Sequence, residues 1–351
     1  MARILFGVHG TGQGHAIRAL TVARHYGEHD FLFVCHDDAA RLIRPEFNLF
    51  ECPNPVTVIG DHRVQPLTTA LRTARVLASA PRLERDLVSV AEAFRPDVVI
   101  TDYELFTARV ARRLHLPCLS LDNQHALTIG RIDPPFSQIP NRLTTELIIR
   151  SLFSSPDQYL VTCFFNAMPA AASSCVRWTP PLLRDAILKS HAEPGEHVLA
   201  YQGYATFPGF LETLKALGRP VRVYGMGARP DDGLITFRSH DEDGLAADLA
   251  SSAYVICGGG HTLISEALYL GKPVAVIPVS GAYEQLVNGL QIERCGYGAW
   301  TNRRGFTLGF LRRFEQRLDA YRDAIAANEF AGNQAVFAAI DDFIAGRWRC
   351  G

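Results

Sequence analysis

Apolar runs and polar breaks alternate along the chain at spacings that predict strands and helices in turn. Arg3–Val8 is an apolar run of strand length, as expected of a strand buried on both faces. Over residues 16–26, Ile17, Leu20, Val22 and Ala23 can line one face of an amphipathic helix. Further strands are predicted over 31–35, 97–101 and 117–121, with a helical pattern over 105–114. The second half repeats the rhythm, with strands over 196–202, 221–224, 235–237 and 254–257, a helix over 244–250, and closing helices over 306–327 and 332–344. Such alternation is the signature of doubly wound α/β domains, which bind ligands beyond the carboxyl ends of their strands.

Three stretches interrupt the rhythm. Residues 61–92 read as one long helical segment carrying Arg72, Arg75, Arg82 and Arg85. That pattern suits a solvated helix face, or a docking surface for an anionic acceptor or a membrane. Residues 123–141 are rich in turn formers, which predicts an irregular binding loop. Trp178-Thr179-Pro180-Pro181 reads as a stiff linker between domains. The expected division is therefore an N-terminal domain over 1–176 and a C-terminal domain over 182–329.

Composition narrows the function. A chain of 351 residues suits two domains, and 48% apolar with 20% charged residues is a globular enzyme's balance. A net charge of −1 gives no basic surface for nucleic acid. The eight cysteines have no metal or redox spacing and sit mostly in apolar runs, so free buried thiols in a cytoplasmic protein are expected. The apolar N-terminus reads as a first strand rather than a signal peptide, and no apolar run is long enough to span a bilayer.

The chemistry concentrates in residues 254–288. An apolar strand runs into Gly258-Gly259-Gly260-His261-Thr262, and a helix starts at once. Glycines let loop amides approach a ligand closely, and the first amides of a helix lack internal partners, so this turn is suited to phosphate. Glu266, one turn in, offers acceptors for ribose hydroxyls. Glu284 and Gln285, beyond the next strand, offer polar groups suited to a sugar ring.

Four items in fixed order carry a resemblance: the glycine turn 258–261, Leu263-Ile264-Ser265-Glu266, Gly271-Lys272-Pro273, and Glu284-Gln285. Together they resemble the nucleotide-sugar half of GT-B glycosyltransferases, the group that includes the MurG-like family and the macrolide and plant sugar transferases. Leu263 stands where relatives often carry Thr, with Thr262 beside it. The resemblance implies a GT-B fold, two doubly wound Rossmann-like domains facing across a cleft. Its final helix, within 330–351, would pack back on the first domain. It implies inverting sugar transfer from a nucleotide-diphosphate donor of UDP type, with no cofactor. Gly12, Gly14, Gly203, Gly259, Gly260, His261, Thr262, Glu266, Glu284 and Gln285 would hold the donor. It further implies a small or lipid-linked acceptor and peripheral contact with a membrane, as in cell-surface glycan assembly.

In the first half, His9-Gly10-Thr11-Gly12-Gln13-Gly14-His15 opens the first helix. Its Gly-His end resembles the corresponding MurG loop, where histidine is the usual candidate base. Gly14-His15-x-x-Arg18 also resembles a nucleotide-sugar hydrolase of the pseudaminic acid pathway, in which the histidine would activate water. Imidazole exchanges protons near neutral pH, so His15 suits a general base, or else merely packs at a helix end. Asp102, ending a buried strand, would orient it as in the His–Asp dyad of plant sugar transferases, or would cap the following helix. Asp122, Asn123 and His125, at the next strand end, are acceptor-side candidates. The glycine spacing is one residue short for a dinucleotide fingerprint. Asp241-Glu242-Asp243 spells a metal motif but stands in the wrong domain for that role, so no metal site is expected. A hydrolase or 2-epimerase on the same fold, and a non-catalytic nucleotide-sugar-binding protein, are the alternatives.

Overall fold

A computed structural model describes residues 1–166, 169–202, 207–227, 229–239 and 241–350. The chain divides into two compact units: residues 1–58, 65–182 and 332–351 form the first, and 59–64 with 183–331 the second.

In chain order the first strands are β1 (Arg3–Val8), β2 (Asp30–Cys35) and β3 (Leu49–Glu51). A short antiparallel hairpin, β4 (Ile59–Gly60) with β5 (Arg63–Val64), follows and belongs to the second unit. The first unit resumes with β6 (Val98–Asp102), β7 (Cys118–Asp122), β8 (Gln158–Thr162) and β9 (Val176–Thr179). Its seven strands lie in the order β3-β2-β1-β6-β7-β8-β9, and every pair is parallel. The order reverses between β1 and β6, where Val8 is in register with Asp102. Such a reversal opens a crevice at the carboxyl ends of the two strands.

One face of this sheet packs against the helix Gln13–His25 and the last helix, Asn333–Ile344, through Leu20, Ala23, Val336 and Ile340. The other face packs against the helix Pro66–Phe94 and the helix Phe106–Arg113. The second unit continues with β10 (Val198–Tyr201), β11 (Val221–Tyr224), β12 (Ile235–Phe237), β13 (Tyr254–Cys257), β14 (Val274–Val276) and β15 (Gly298–Trp300). They form a parallel sheet in the order β12-β11-β10-β13-β14-β15, which reverses between β10 and β13.

Four expectations are corrected. The segment read as a linker forms β9, the edge strand of the first sheet, because Trp178 and Thr179 pair with Val161 and Thr162. The segment read as irregular carries helices over Ala126–Ile129 and Ile139–Ile148. The long helix begins at Pro66, since residues 59–64 are spent on the hairpin. Cys175 and Cys350, read as free thiols, form a disulfide. Their separation of 175 residues carries no sequence signal. The other six cysteines are not disulfide-bonded, and all but Cys295 are buried. Among the described residues no helix is long and apolar enough to cross a membrane.

Candidate functional site

In the first unit the site is built where β1 and β6 end side by side. The His9 amide donates to the Asp102 carbonyl at 3.0 Å, tying the loop to the strand end. Gly12 sits at φ +80°, a left-handed turn that glycine takes without strain, and the helix starts at Gln13. His15 and Arg18 lie one turn apart on that helix and so share a face. His15 Nδ1 is 2.8 Å from Asp102 Oδ1. Arg18 grips the same carboxylate with both arms: Nε donates to Oδ2 and Nη2 to Oδ1, each at 2.8 Å. Its third nitrogen, Nη1, donates to Asn123 Oδ1 at 3.1 Å.

Asp102 is fully buried. Burial alone would raise its pKa, but Arg18 and His15 outweigh that and hold it below the usual carboxylate range. An ionised carboxylate only accepts, so the proton on the His15 ring is on Nδ1, and Nε2 is left as the basic nitrogen. The side-chain amide of Gln124 lies 3.4 Å from that Nε2.

The helix-capping alternative for Asp102 fails. The first amides of the helix Phe106–Arg113 are taken by Glu104, whose carboxylate accepts from Phe106 at 2.9 Å and Thr107 at 2.6 Å. Tyr103 holds φ at +52°, costly for a side chain of its size. Its ring lies parallel to His15 with centroids 6.4 Å apart, and stacks on Phe153 at 4.0 Å. Beside them His9 is driven down to about 3 by burial and by His15 and His36, so it is neutral at physiological pH. His9 Nδ1, Thr11 Oγ1 and His36 Nε2 are buried around this loop with no hydrogen-bond partner. Such orphaned atoms suit a place where a polar ligand lands.

Asp122 and His125 make a pair of their own. His125 Nδ1 lies 2.7 Å from Asp122 Oδ2, its amide donates to Oδ1 at 2.9 Å, and Ser120 Oγ donates to Oδ2 at 2.6 Å. Burial raises the Asp122 pKa, yet His125 and these donors hold it well below the carboxylate range. His125 Nε2 lies 3.5 Å from Ser154 Oγ, and both line a cavity of about 420 Å³ with Tyr159 and Arg150. Of the acceptor-side candidates, Asn123 bonds to the His15–Arg18–Asp102 cluster directly.

In the second unit the loop after β13 turns at Gly259, where φ is +94°. Asn288 Nδ2 donates to the Gly259 carbonyl at 2.9 Å. A Cβ on Gly259 would meet the Gln285 carbonyl at 2.9 Å, whereas one on Gly260 would meet nothing within 4 Å. Gly260 precedes the helix His261–Tyr269, whose first amides have no side-chain cap. His261 is buried and Thr262 half-buried at that end. Gln285 Oε1 accepts from the Val279 amide at 3.0 Å, while Glu284, half-buried, stands in the first turn of the helix Tyr283–Arg294. Gly203 lies outside the described residues.

Glu266 is buried and gripped by Arg184, whose Nε and Nη2 donate to its two oxygens at 2.7 and 3.0 Å. Burial raises its pKa against the pull of that guanidinium. Arg184 has no motif around it and was missed in the sequence. Arg18 was visible in the Gly-His-x-x-Arg run, but its carboxylate partner stands 84 residues away. Asp241 caps the helix Glu242–Ala250 by accepting from the Gly244 amide at 2.8 Å. Among the described residues no group of His, Cys, Asp and Glu is arranged to hold a metal.

Residues 2–319 match glycosyl transferase family 1. The chain belongs to that family. This glycosyltransferase is 24% identical over 335 residues to an uncharacterised glycosyltransferase of Methanosarcina acetivorans, covering 84% of each chain. Solved structures share its GT-B fold. CalG4, the calicheamicin glycosyltransferase, superposes with a TM-score of 0.66 at 15% identity over 98% of both chains. UGT71G1 of Medicago truncatula, complexed with UDP-glucose, gives 0.66 at 12% identity over 98% of both chains.

Proposed function

We propose that this glycosyltransferase moves a sugar from a UDP-linked donor to an acceptor hydroxyl with inversion, without a metal ion, and that His15 is its base. The observation that carries the reading is the pinned imidazole: Nδ1–H is held by Asp102, Asp102 is held by Arg18, and Nε2 is left to accept a proton. In the reaction, His15 Nε2 takes the acceptor's hydroxyl proton. The freed oxygen pair attacks the anomeric carbon from the face opposite the nucleotide. The bond from that carbon to the phosphate oxygen breaks, and its electrons leave with UDP. Asp102 orients the ring. Because Arg18 shares its charge, its main contribution is orientation rather than stabilisation of the imidazolium.

The amides at Gly260, His261 and Thr262, where this helix begins, would receive the diphosphate, supplying the positive field that other transferases take from a metal. Glu266 keeps a lone pair on each oxygen beyond those used by Arg184, enough for ribose hydroxyls. Glu284 and Gln285 would meet the sugar, and Gly12 and Gly14 are the further glycines that would meet the donor. A precedent for UDP-glucose in this fold is the Medicago truncatula structure.

The test is calorimetry with UDP and donor turnover on wild type and His15→Ala. The variant is expected to bind UDP as tightly as wild type, with or without EDTA, and to lose ~10²–10⁴-fold in kcat. Near-full turnover would remove His15 from the chemistry. UDP binding that vanishes in EDTA would remove the metal-free donor site.

A further inference from the structure

The first unit holds a second histidine–aspartate pair, to which sugar transfer as proposed above gives no step. Asp122 ends β7, His125 follows in the next turn, and both are buried. His125 Nδ1 lies 2.7 Å from Asp122 Oδ2, and the ionised carboxylate only accepts. In the neutral ring the proton therefore sits on Nδ1, and Nε2 is left as an acceptor. That nitrogen faces Ser154 Oγ at 3.5 Å. Ser154 ends a π-helical turn, Ile149–Phe153, which runs on from the helix Ile139–Ile148. Such turns are rare and recur at functional sites. The Ser154 hydroxyl also reaches the Ile149 carbonyl at 3.1 Å, so its one proton has two acceptors. A nucleophile and its base are often this loosely paired until a substrate binds.

His125 and Ser154 line one cavity of about 420 Å³, a volume in the range of small-molecule sites. Ile129 and Val176 give the lining apolar surface, and Arg150 gives it a cation. Arg150 Nη2 donates to the Thr128 carbonyl at 2.9 Å, which ties the guanidinium to the turn that carries His125. A hydroxyl, an imidazole, a carboxylate behind it and a cation in the same lining are the parts of a nucleophilic centre. Such constellations recur on unrelated folds and are recognised by geometry.

We infer that this cavity is a second catalytic centre, which hydrolyses small carboxylic esters with Ser154 as nucleophile, His125 as base and Asp122 positioning the ring. Water is the second reactant. Ser154 Oγ bonds to the ester carbonyl carbon while His125 Nε2 takes the hydroxyl proton. The bond from that carbon to the alcohol oxygen breaks, and Nε2 gives its proton to the departing oxygen. The acyl group is left on Ser154. Water then adds to the acyl carbon as Nε2 takes a proton from it. The bond to Oγ breaks, and the proton returns to Oγ. One ester and one water give one alcohol and one acid. In each addition the former carbonyl oxygen gains negative charge, and Arg150 is the cation in the lining that can meet it. The apolar surface of Ile129 and Val176 suits a short acyl chain. None of these residues has a step in sugar transfer, so the two activities are separable.

The test is labelling of the whole protein with a fluorophosphonate, which bonds to activated serines, together with hydrolysis of p-nitrophenyl butyrate. Digestion and mass spectrometry should find the label on Ser154. Ser154→Ala should lose the label and at least about a hundredfold in ester turnover. Asp122→Asn should keep the serine but label at least about tenfold more slowly. Its amide can donate to Nδ1, which leaves the proton of the ring on Nε2, facing the nucleophile. Labelled wild type should bind UDP in calorimetry as unlabelled protein does, so a missing ester centre and a missing donor site are told apart. Wild type with Ser154 unlabelled would overturn the inference. So would Ser154→Ala that hydrolyses the ester at the wild-type rate, or Asp122→Asn that labels as fast as wild type.

Discussion

At the scale of single residues, the first unit's site is a charge cluster closed on itself: Arg18, Asp102 and His15, with Asn123 at its edge. The sequence reading reached His15 and Asp102 because each stands at a recognisable place, a glycine turn and a strand end. It had no means of finding the Arg18 fork, because β1 and β6 become neighbours only through the crossover that the sheet supplies. The cluster has a pH signature. The folded-state pKa of Asp102 is depressed, so this carboxylate contributes stability above its unfolded value of about 3.9, and loses that contribution as pH falls through the folded value. Asp102→Asn should cost about 3–5 kcal/mol at neutral pH, since it leaves Arg18 buried without its counter-charge. The gap from wild type should narrow below about pH 4. Urea unfolding of both proteins across that range measures it. An equal gap at every pH would mean that Asp102 carries no charge in the fold. Turnover should fall too, but by less than in His15→Ala, because the ring remains and only its orientation suffers.

At the scale of elements, the loop between β13 and its helix separates packing from binding at two adjacent glycines. Gly259 is left-handed and a methyl there meets the Gln285 carbonyl, whereas Gly260 has φ −65° and open space. Gly259→Ala should therefore destabilise the second unit by about 1–3 kcal/mol and weaken UDP binding with it. Gly260→Ala should leave the melting temperature unchanged and weaken UDP binding alone, because its methyl would stand where the diphosphate is expected. Paired melts and calorimetry decide this; unchanged UDP affinity in Gly260→Ala would place the diphosphate elsewhere. Elements of this kind were the most legible part of the sequence, since an apolar run, a glycine turn and a helical period are all local. The misread elements depend on partners far along the chain. Edge strand β9 looks like a linker until β8 lies beside it, and the start of the long helix is displaced by a hairpin whose Val64 bonds to Ser280.

At the scale of the whole molecule, the chain leaves the first unit near residue 182, completes the second, and returns at residue 332 to finish the first. What holds that return decides whether the first unit is stable. The helix Asn333–Ile344 is held by Val336, Ile340 and Phe343 in the core beside β1 and β2. Beyond it Trp348 is buried, donates from Nε1 to the Ser174 carbonyl at 2.8 Å, and lies under the Arg177 guanidinium at 4.3 Å. The Cys175–Cys350 bond then closes a loop that encloses residues 183–331 of the second unit. A crosslink over so long a loop restricts the unfolded chain by about 5 kcal/mol in the loop-entropy account, as a ceiling. The second unit, however, is a compact body of its own, and where it stays folded while the first opens the loop is not free chain. A folded body inside the loop has less freedom to lose, so the measured effect should fall short of that ceiling. Cys350→Ser is expected to lower the melting temperature of the first unit only modestly, and dithiothreitol should do the same to wild type while leaving the variant unmoved. Trp348→Ala should cost more, about 3–5 kcal/mol, because it removes a buried indole along with its hydrogen bond and the arginine above it. Calorimetric scans of the three proteins, oxidised and reduced, give the ranking. If Cys350→Ser costs more than Trp348→Ala, the covalent bond rather than the docked tail holds the return.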